Sequence, residues 1–140
     1  MSRKIFVNLP VKDLKKSIDF FTTLGFTFNP QFTDDHATCM IISDEAFAML
    51  LVEARFKDFT KKGITDTATQ SEAIVALTCE TRAEVDQLAD AALKAGGAAA
   101  MPPMDLGFMY GRSFYDLDGH HWEVFHMDPN AAPGDTAGAS

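Results

Sequence analysis

Cysteine is scarce in this sequence. Cys39 and Cys79 are the whole supply, they lie in apolar runs without C-x-x-C spacing, and a disulfide framework is therefore not indicated. Both read as buried free thiols. Positive charge is also short, with 12 Lys and Arg against 20 Asp and Glu and a formal net charge of −8. That balance repels a phosphate backbone, and no basic stripe interleaved with aromatics overrides it, so nucleic acid is not an expected partner. The short piece KDLKK is read as a solvated helix face. No apolar run approaches the ~18 residues of a membrane span, and MSRKIFVNLP holds no apolar stretch of signal length, so a soluble cytoplasmic protein without a membrane partner is expected. P-loop, G-x-G-x-x-G and Ser/His/Asp patterns are missing as well, which leaves no case for nucleotide or nucleophile chemistry.

Apolar volume, by contrast, is plentiful. The chain has 140 residues of which 46% are apolar, enough for one compact domain and too little for a second core. Twelve Phe stand against two Tyr and one Trp, so a lined cavity is within reach of the composition.

KIFVNLPV is β-rich and leads into VKDLKKSIDFFTTLGF, where Leu14, Ile18, Phe21 and Leu24 fall on one helical stripe. Asp13 is placed to cap that helix and Gly25 to stop it. FTFNPQFT, HATCMIIS and AFAMLLVE follow as three strand-length runs punctuated by NP, DD and SDE. ARFKDFTKKGITDTATQSE is polar and connecting, with one short helix expected around Phe56 to Phe59. EAIVALTC is a further strand. TRAEVDQLADAALKAGG is a second long helix with Val85, Leu88, Ala89, Ala92 and Leu93 inward, opened by a Thr81–Glu84 capping box and closed by Gly96. GAAAMPP, GFMYGRSFYDL and HHWEVFHM complete the chain. Strand, helix and three strands thus occur twice in order. A single domain is expected over 1–127, with modules at about 3–53 and 73–127, a linker at 54–72 and a flexible tail at 128–140.

Two stretches resemble a known family. NLPVKDLKKSIDFFTTLGF resembles the opening signature of the vicinal oxygen chelate superfamily, which includes glyoxalase I, extradiol dioxygenases, and fosfomycin and bleomycin resistance proteins. FYDLDGHHWEVF is similar to its closing signature: an aspartate, a D-G turn and a strand carrying a glutamate. The likeness covers residues 4 to 127. It implies an α+β fold of two βαβββ modules forming a cleft, commonly as a homodimer, with a small molecule as ligand. In metal-using members it implies a divalent ion on four positions, commonly His or Gln and Glu. Carried onto this chain, those positions fall at Phe6, at Met49 or Leu51, near Ile74 or Ala76, and at Glu123, the sole match. A register slip would promote Asn8 or Glu53, at the cost of turning every side chain to the other face. No metal or other cofactor is expected with any force, although a divalent metal stays possible if that register is wrong.

The closing stretch holds three of the four histidines. Asp118 and Gly119 are the turn pair of a hairpin, Gly supplying the positive φ. Period two then puts His121, Glu123 and Phe125 on one face and Trp122, Val124 and His126 on the other, so the histidines do not converge. Glu123 and His121 are the candidate catalytic residues, as a general base and its electrostatic partner. A plainer alternative is a Glu123 that bonds a backbone amide or Arg112. Tyr110, Arg112 and Phe114 share a face of the preceding strand and are expected to meet the cleft near Glu123, Arg112 holding an anionic group of the substrate. A purely structural Arg112 ion pair is the alternative. Tyr110 and Met109 after Gly107 are read as a rim of the pocket. Asn8 shares the face of Phe6 and is a further candidate ligand contact. His120 is expected to face solvent, and His126 to pack beside Trp122.

Three functional readings follow: a glyoxalase-like protein, related to lactoylglutathione lyase, with an incomplete metal site; a non-catalytic binding protein of the antibiotic-resistance type; and a divalent-metal lyase or dioxygenase. The residues do not decide between enzyme and binder.

Overall fold

The computed structural model describes residues 3–130, and the chain divides into two compact units that meet between Gln70 and Ser71. Each unit carries one sheet. No described helix is long and apolar enough to cross a membrane.

In the first unit, β1 (Ile5–Val11), β2 (Thr27–Asn29), β3 (Ala37–Ile41) and β4 (Ala46–Val52) form a sheet in the order β1-β4-β3-β2. β1 runs parallel to β4 and the remaining pairs are antiparallel. The crossover contains α1 (Leu14–Thr23), whose first turn is capped by the Asp13 carboxylate accepting from the Lys16 N–H at 3.1 Å. Gly25 follows at φ +100° and ends it, as the sequence predicts. Leu9, Val11, Met40, Ala48 and Leu50 are buried on one face of the sheet, and Leu14, Phe20 and Phe21 of α1 are buried with them. Thr38 is also fully buried there, and its hydroxyl lies 2.8 Å from that of Thr33. The expected first strand after α1 is cut short because Pro30 opens a single 3₁₀ turn, Pro30–Phe32. α2 (Glu53–Phe56) directly continues β4, so the short helix ends where the sequence suggested it would begin.

The second unit repeats the order with one extra strand. β5 (Ile74–Thr78), α3 (Arg82–Lys94), β6 (Ala98–Ala99), β7 (Met104–Asp105), β8 (Met109–Tyr115) and β9 (His121–Met127) form a sheet in the order β5-β9-β8-β6, with β7 also paired to β8. The capping box at α3 is present in altered form. Thr81 Oγ1 accepts from the Glu84 N–H at 3.0 Å, while the Glu84 carboxylate accepts at 2.7 Å from the N–H of Glu80, one residue ahead of the cap. Val85, Ala89 and Ala92 are buried, whereas Leu93, expected inward, is 38% exposed. Gly96 at φ +111° ends the helix, with Leu117 so close that an added Cβ would lie 3.2 Å from its Cδ2.

The β8–β9 connection is built on a buried carboxylate. Asp116 Oδ1 accepts from the N–H groups of Asp118 and His120 at 2.9 and 3.0 Å, and Oδ2 accepts from Trp122 Nε1 at 2.9 Å. Trp122 is 1% exposed, so its indole N–H has to find a protein acceptor. Drawing the His120 N–H inward buries that residue to 3% exposure, with its Nδ1 2.6 Å from Glu72 Oε1. The expected solvent-facing His120 is therefore corrected. The expected tail at 128–140 lies for its last ten residues outside the described residues.

Asp116→Ala would remove the acceptor of two buried donors, the His120 N–H and the Trp122 indole N–H, and of the half-buried Asp118 N–H, and is expected to lower unfolding stability by about 3 kcal/mol in urea titrations, with Asp116→Asn losing less because an amide oxygen still accepts. Burial pushes the Asp116 carboxyl up, against the pull of His120, the Trp122 bond and the backbone bonds. A raised folded-state value means that the folded chain takes its proton before the unfolded chain does. This group's contribution to stability therefore grows as pH falls through that value, and the Asn variant cannot share the gain. The stability difference between wild type and Asp116→Asn should move in favour of wild type between about pH 7 and pH 4.

Candidate functional site

Neighbours across a ladder point their side chains to the same side, so the register of the second sheet sorts every residue onto one of two faces. Trp122 and Val124 of β9 face α3, together with Phe114 of β8, and all three are nearly inaccessible. The opposite face is open. Across β5, β9 and β8 it presents a row of Ile74, His121 and Tyr115, then a row of Ala76, Glu123 and Ser113, then a row of Thr78, Phe125 and Gly111.

Glu123 is central in this grid. It is half-buried, yet its carboxylate has no hydrogen-bond or ion-pair partner among the described residues. Its row neighbours are small, a methyl at Ala76 and the hydroxyl of Ser113, whose Oγ accepts from the Met101 N–H at 2.8 Å. The rows on either side are aromatic. Tyr115 and His121 meet edge to face with ring centroids 5.3 Å apart and planes at 68°. Phe125 stands opposite Gly111, where an added Cβ would lie 3.4 Å from the Phe125 Cβ, so the glycine leaves the space beside that ring clear. The result is a trough of small side chains with a carboxylate on its floor and aromatic groups at both ends.

The expectation that Tyr110, Arg112 and Phe114 meet Glu123 is corrected. They do share a face, but it is the helix side. Tyr110 Oη donates to Asp86 at 2.6 Å, and Arg112 Nη1 donates to Asp86 at 3.1 Å and to Asp90 at 2.8 Å, both on α3. Phe114 is 2% exposed core. The bond from Tyr110, and then that from Arg112, hold the Asp86 carboxyl below the usual range, while donating to that carboxylate raises the pKa of the Tyr110 hydroxyl. Burial acts against the Arg112 charge, but its bonds to Asp90 and Asp86 outweigh that and its pKa is raised. Arg112 thus serves as a strut between α3 and β8, and Arg82 lies 4.4 Å from the Tyr110 ring centroid beside it.

Turn length explains the reversal. A two-residue Asp118–Gly119 turn would set Phe114 opposite Glu123. Instead Asp116 to His120 all lie outside the strands, Gly119 takes φ +79° within that longer loop, and Ser113 is opposite Glu123. The shift is one residue, and it exchanges the faces of β8. Ser113 and Tyr115 are accordingly the site residues that sequence reasoning missed, and the spacing from Asp116 to Trp122 was the signal that could have found them. Met109, read as a rim residue, is 4% exposed. His126 shares the face of Trp122 as expected, its Nδ1 3.1 Å from the Cys79 carbonyl oxygen.

In the first unit, Asn8 is exposed and shares the open face of its sheet with Phe6, as period two predicts, and pairs with Met49. Phe6 is 52% exposed and stacks on Phe47 at 4.8 Å and 16°. The positions that the family resemblance assigns to a divalent ion do not fit one. Phe6, Leu51, Ile74 and Ala76 offer no donor, Met49 offers a soft thioether, and Ala76 stands directly across from Glu123. Glu53 leaves the strand to open α2. Among the described residues no three His, Cys, Asp or Glu side chains group as ligands.

Residues 3–43 match the family model described as bleomycin resistance protein-like N-terminal. Comparison with curated proteins finds no match. Among solved structures, a hypothetical protein from S. aureus is 32% identical over 90% of this chain and 95% of that one, with a TM-score of 0.75. A glyoxalase/bleomycin resistance protein/dioxygenase family enzyme from Burkholderia phytofirmans is 13% identical over 90% of this chain and 99% of that one, TM-score 0.73. A glyoxalase-related enzyme from Fulvimarina pelagi is 18% identical over 90% and 88%, TM-score 0.74, and these last two likenesses concern the fold alone. With twin sheet units built in the same order and residues 3–43 matching the bleomycin resistance protein-like N-terminal model, the chain has the fold of the glyoxalase/bleomycin resistance protein/dioxygenase structures.

Proposed function

We propose that this protein is a glyoxalase-like member of the vicinal oxygen chelate superfamily that binds a small molecule on the open face of its second sheet, with Glu123 as the principal polar contact and without a divalent ion. The observation that carries the reading is the Glu123 carboxylate itself: half-buried, central in a sheet and without a protein partner among the described residues. A carboxylate that has given up part of its hydration without a hydrogen bond in return carries an electrostatic cost that a ligand donor or cation can relieve.

Binding without turnover, as in a resistance-type sequestering protein, is the better supported form. Lyase chemistry of the lactoylglutathione type needs a base and also a group that stabilises developing negative charge on oxygen. Arg112, the candidate for the second task, is engaged by Asp86 and Asp90 on the other side of the sheet. An enzymatic reading is favoured by one feature, the placement of His121 beside Glu123 on a single face, as a base and its electrostatic partner would require.

Two further elements belong to this proposal. Ile5, Phe6 and Ile74 are 59, 52 and 59% exposed, which supports a homodimer that covers them. Cys39 and Cys79 are free and buried, and burial pushes the Cys79 thiol up to about 11, so neither is a ready nucleophile and both suit a reducing cytoplasm.

Glu123→Gln decides between the forms. Retained ligand binding with loss of turnover on glyoxalase-type substrates would establish catalysis. Ligand affinity reduced about tenfold, with no turnover in either form, is the expected result. Arg112→Leu should leave affinity within about twofold while lowering stability by about 1 kcal/mol, since its partners are largely exposed. Elemental analysis of the purified protein should find Ni, Zn, Mn and Fe well below one per chain. A stoichiometric ion that disappears in Glu123→Gln would overturn the metal-free reading.

A further inference from the structure

The open face of the second sheet has a definite chemical polarity. Its floor is one carboxylate between two small residues, Ala76 and Ser113, and its ends are aromatic: His121 with Tyr115 on one side and Phe125 on the other. Along β9 the two ends are separated by two pleat repeats, roughly 13 Å between Cα atoms, a span that suits a single compact head group. No Lys or Arg side chain stands in these three rows. Arg112 on β8 and Arg82 on α3 are engaged instead by Asp86 and Asp90, and by Asp105, respectively. The chain as a whole carries a net charge of −8.

From this juxtaposition we propose that the ligand bound at Glu123 is an organic cation, an ammonium group carried on an apolar or aromatic body. The inference rests on the small-molecule reading given above and adds the ligand's charge and shape.

An ammonium head is matched by each part of the trough. The Glu123 carboxylate supplies the counter-charge. The Tyr115 and Phe125 rings stand in the rows that flank Glu123 and can attract a cation there, an attraction that strengthens as water is displaced. Ala76 and Ser113 are short enough to let the head group descend to the carboxylate. The surplus of acidic groups over the molecule attracts cations from solution and disfavours anions. An anionic ligand would meet uncompensated repulsion at Glu123. A neutral one would gain the apolar contact and leave the carboxylate unrelieved.

The test is titration of the full-length protein with benzyltrimethylammonium, followed through amide NMR shifts, beside benzyl alcohol and benzoate as neutral and anionic molecules with the same ring. The expected result is saturable shifts at residues 111–115 and 121–125, a Kd for the cation at least about tenfold below that of either counterpart, and loss of that preference in Glu123→Gln. Tyr115→Leu and Phe125→Leu, tested separately in case one fails to fold, should weaken the cation and leave benzyl alcohol within about twofold. Equal binding of benzyl alcohol at these residues, or tighter binding of benzoate, would overturn the cation assignment while leaving the small-molecule site in place. Shifts from all three probes that avoid this face, or none from any of them, would remove the site and the assignment together.

Discussion

The arrangement of the second unit depends on one buried acceptor, the Asp116 carboxylate. By taking the N–H groups of Asp118 and His120 and the indole N–H of Trp122, it fixes the length of the β8–β9 loop and anchors the first turn of β9 to the core. Loop length sets register, and register sets which side chains of β8 accompany Glu123. With this closure Ser113 and Tyr115 flank the glutamate row. With a loop one residue out of step Phe114 and Arg112 would take their places, and an Arg112 beside Glu123 would neutralise the trough. Holding a charged group where burial opposes its charge is the local cost of that choice, visible in the upward shift of the Asp116 carboxyl.

Charge is consequently segregated across the sheet. On the helix side, Arg112 and Tyr110 converge on the acids of α3, and Arg82 reaches Asp105 on β7, so that helix and strands are tied by charge-assisted bonds at a partly solvated boundary. On the open side an acid is left alone among aromatic and small residues. The same sequence of elements that supplies a ring of metal donors in metal-using members of the vicinal oxygen chelate superfamily here supplies Phe6, Met49, Leu51 and Ala76 at those places. What remains is a face of small and aromatic side chains around one negative charge.

Much of the fold was legible because its signals are local. Asp13 and Thr81 sit where a helix needs an acceptor for its first N–H groups, Gly25 and Gly96 where it needs a left-handed stop, and the β-rich runs between them have strand length. The two end signatures then gave that order its resemblance to a superfamily. Errors were equally local in origin: Pro30 converted part of a strand run into a 3₁₀ turn, and α2 began three residues early because β4 passes straight into it. The site was half legible. Period two placed His121, Glu123 and Phe125 together and kept His126 apart, since alternation within a strand follows from the backbone alone.

The sequence by itself therefore determined most of the elements, their order and the within-strand partners of Glu123, because caps, stops and pleat alternation act over a few residues. Tertiary structure decided which strand face meets which. That choice hangs on hydrogen bonds to a buried carboxylate and on the pull of Asp86 and Asp90 upon Arg112, from a helix 22 to 26 residues away in the chain. Contacts at that separation depend on how the helix lies against the sheet, which no short pattern of residues encodes.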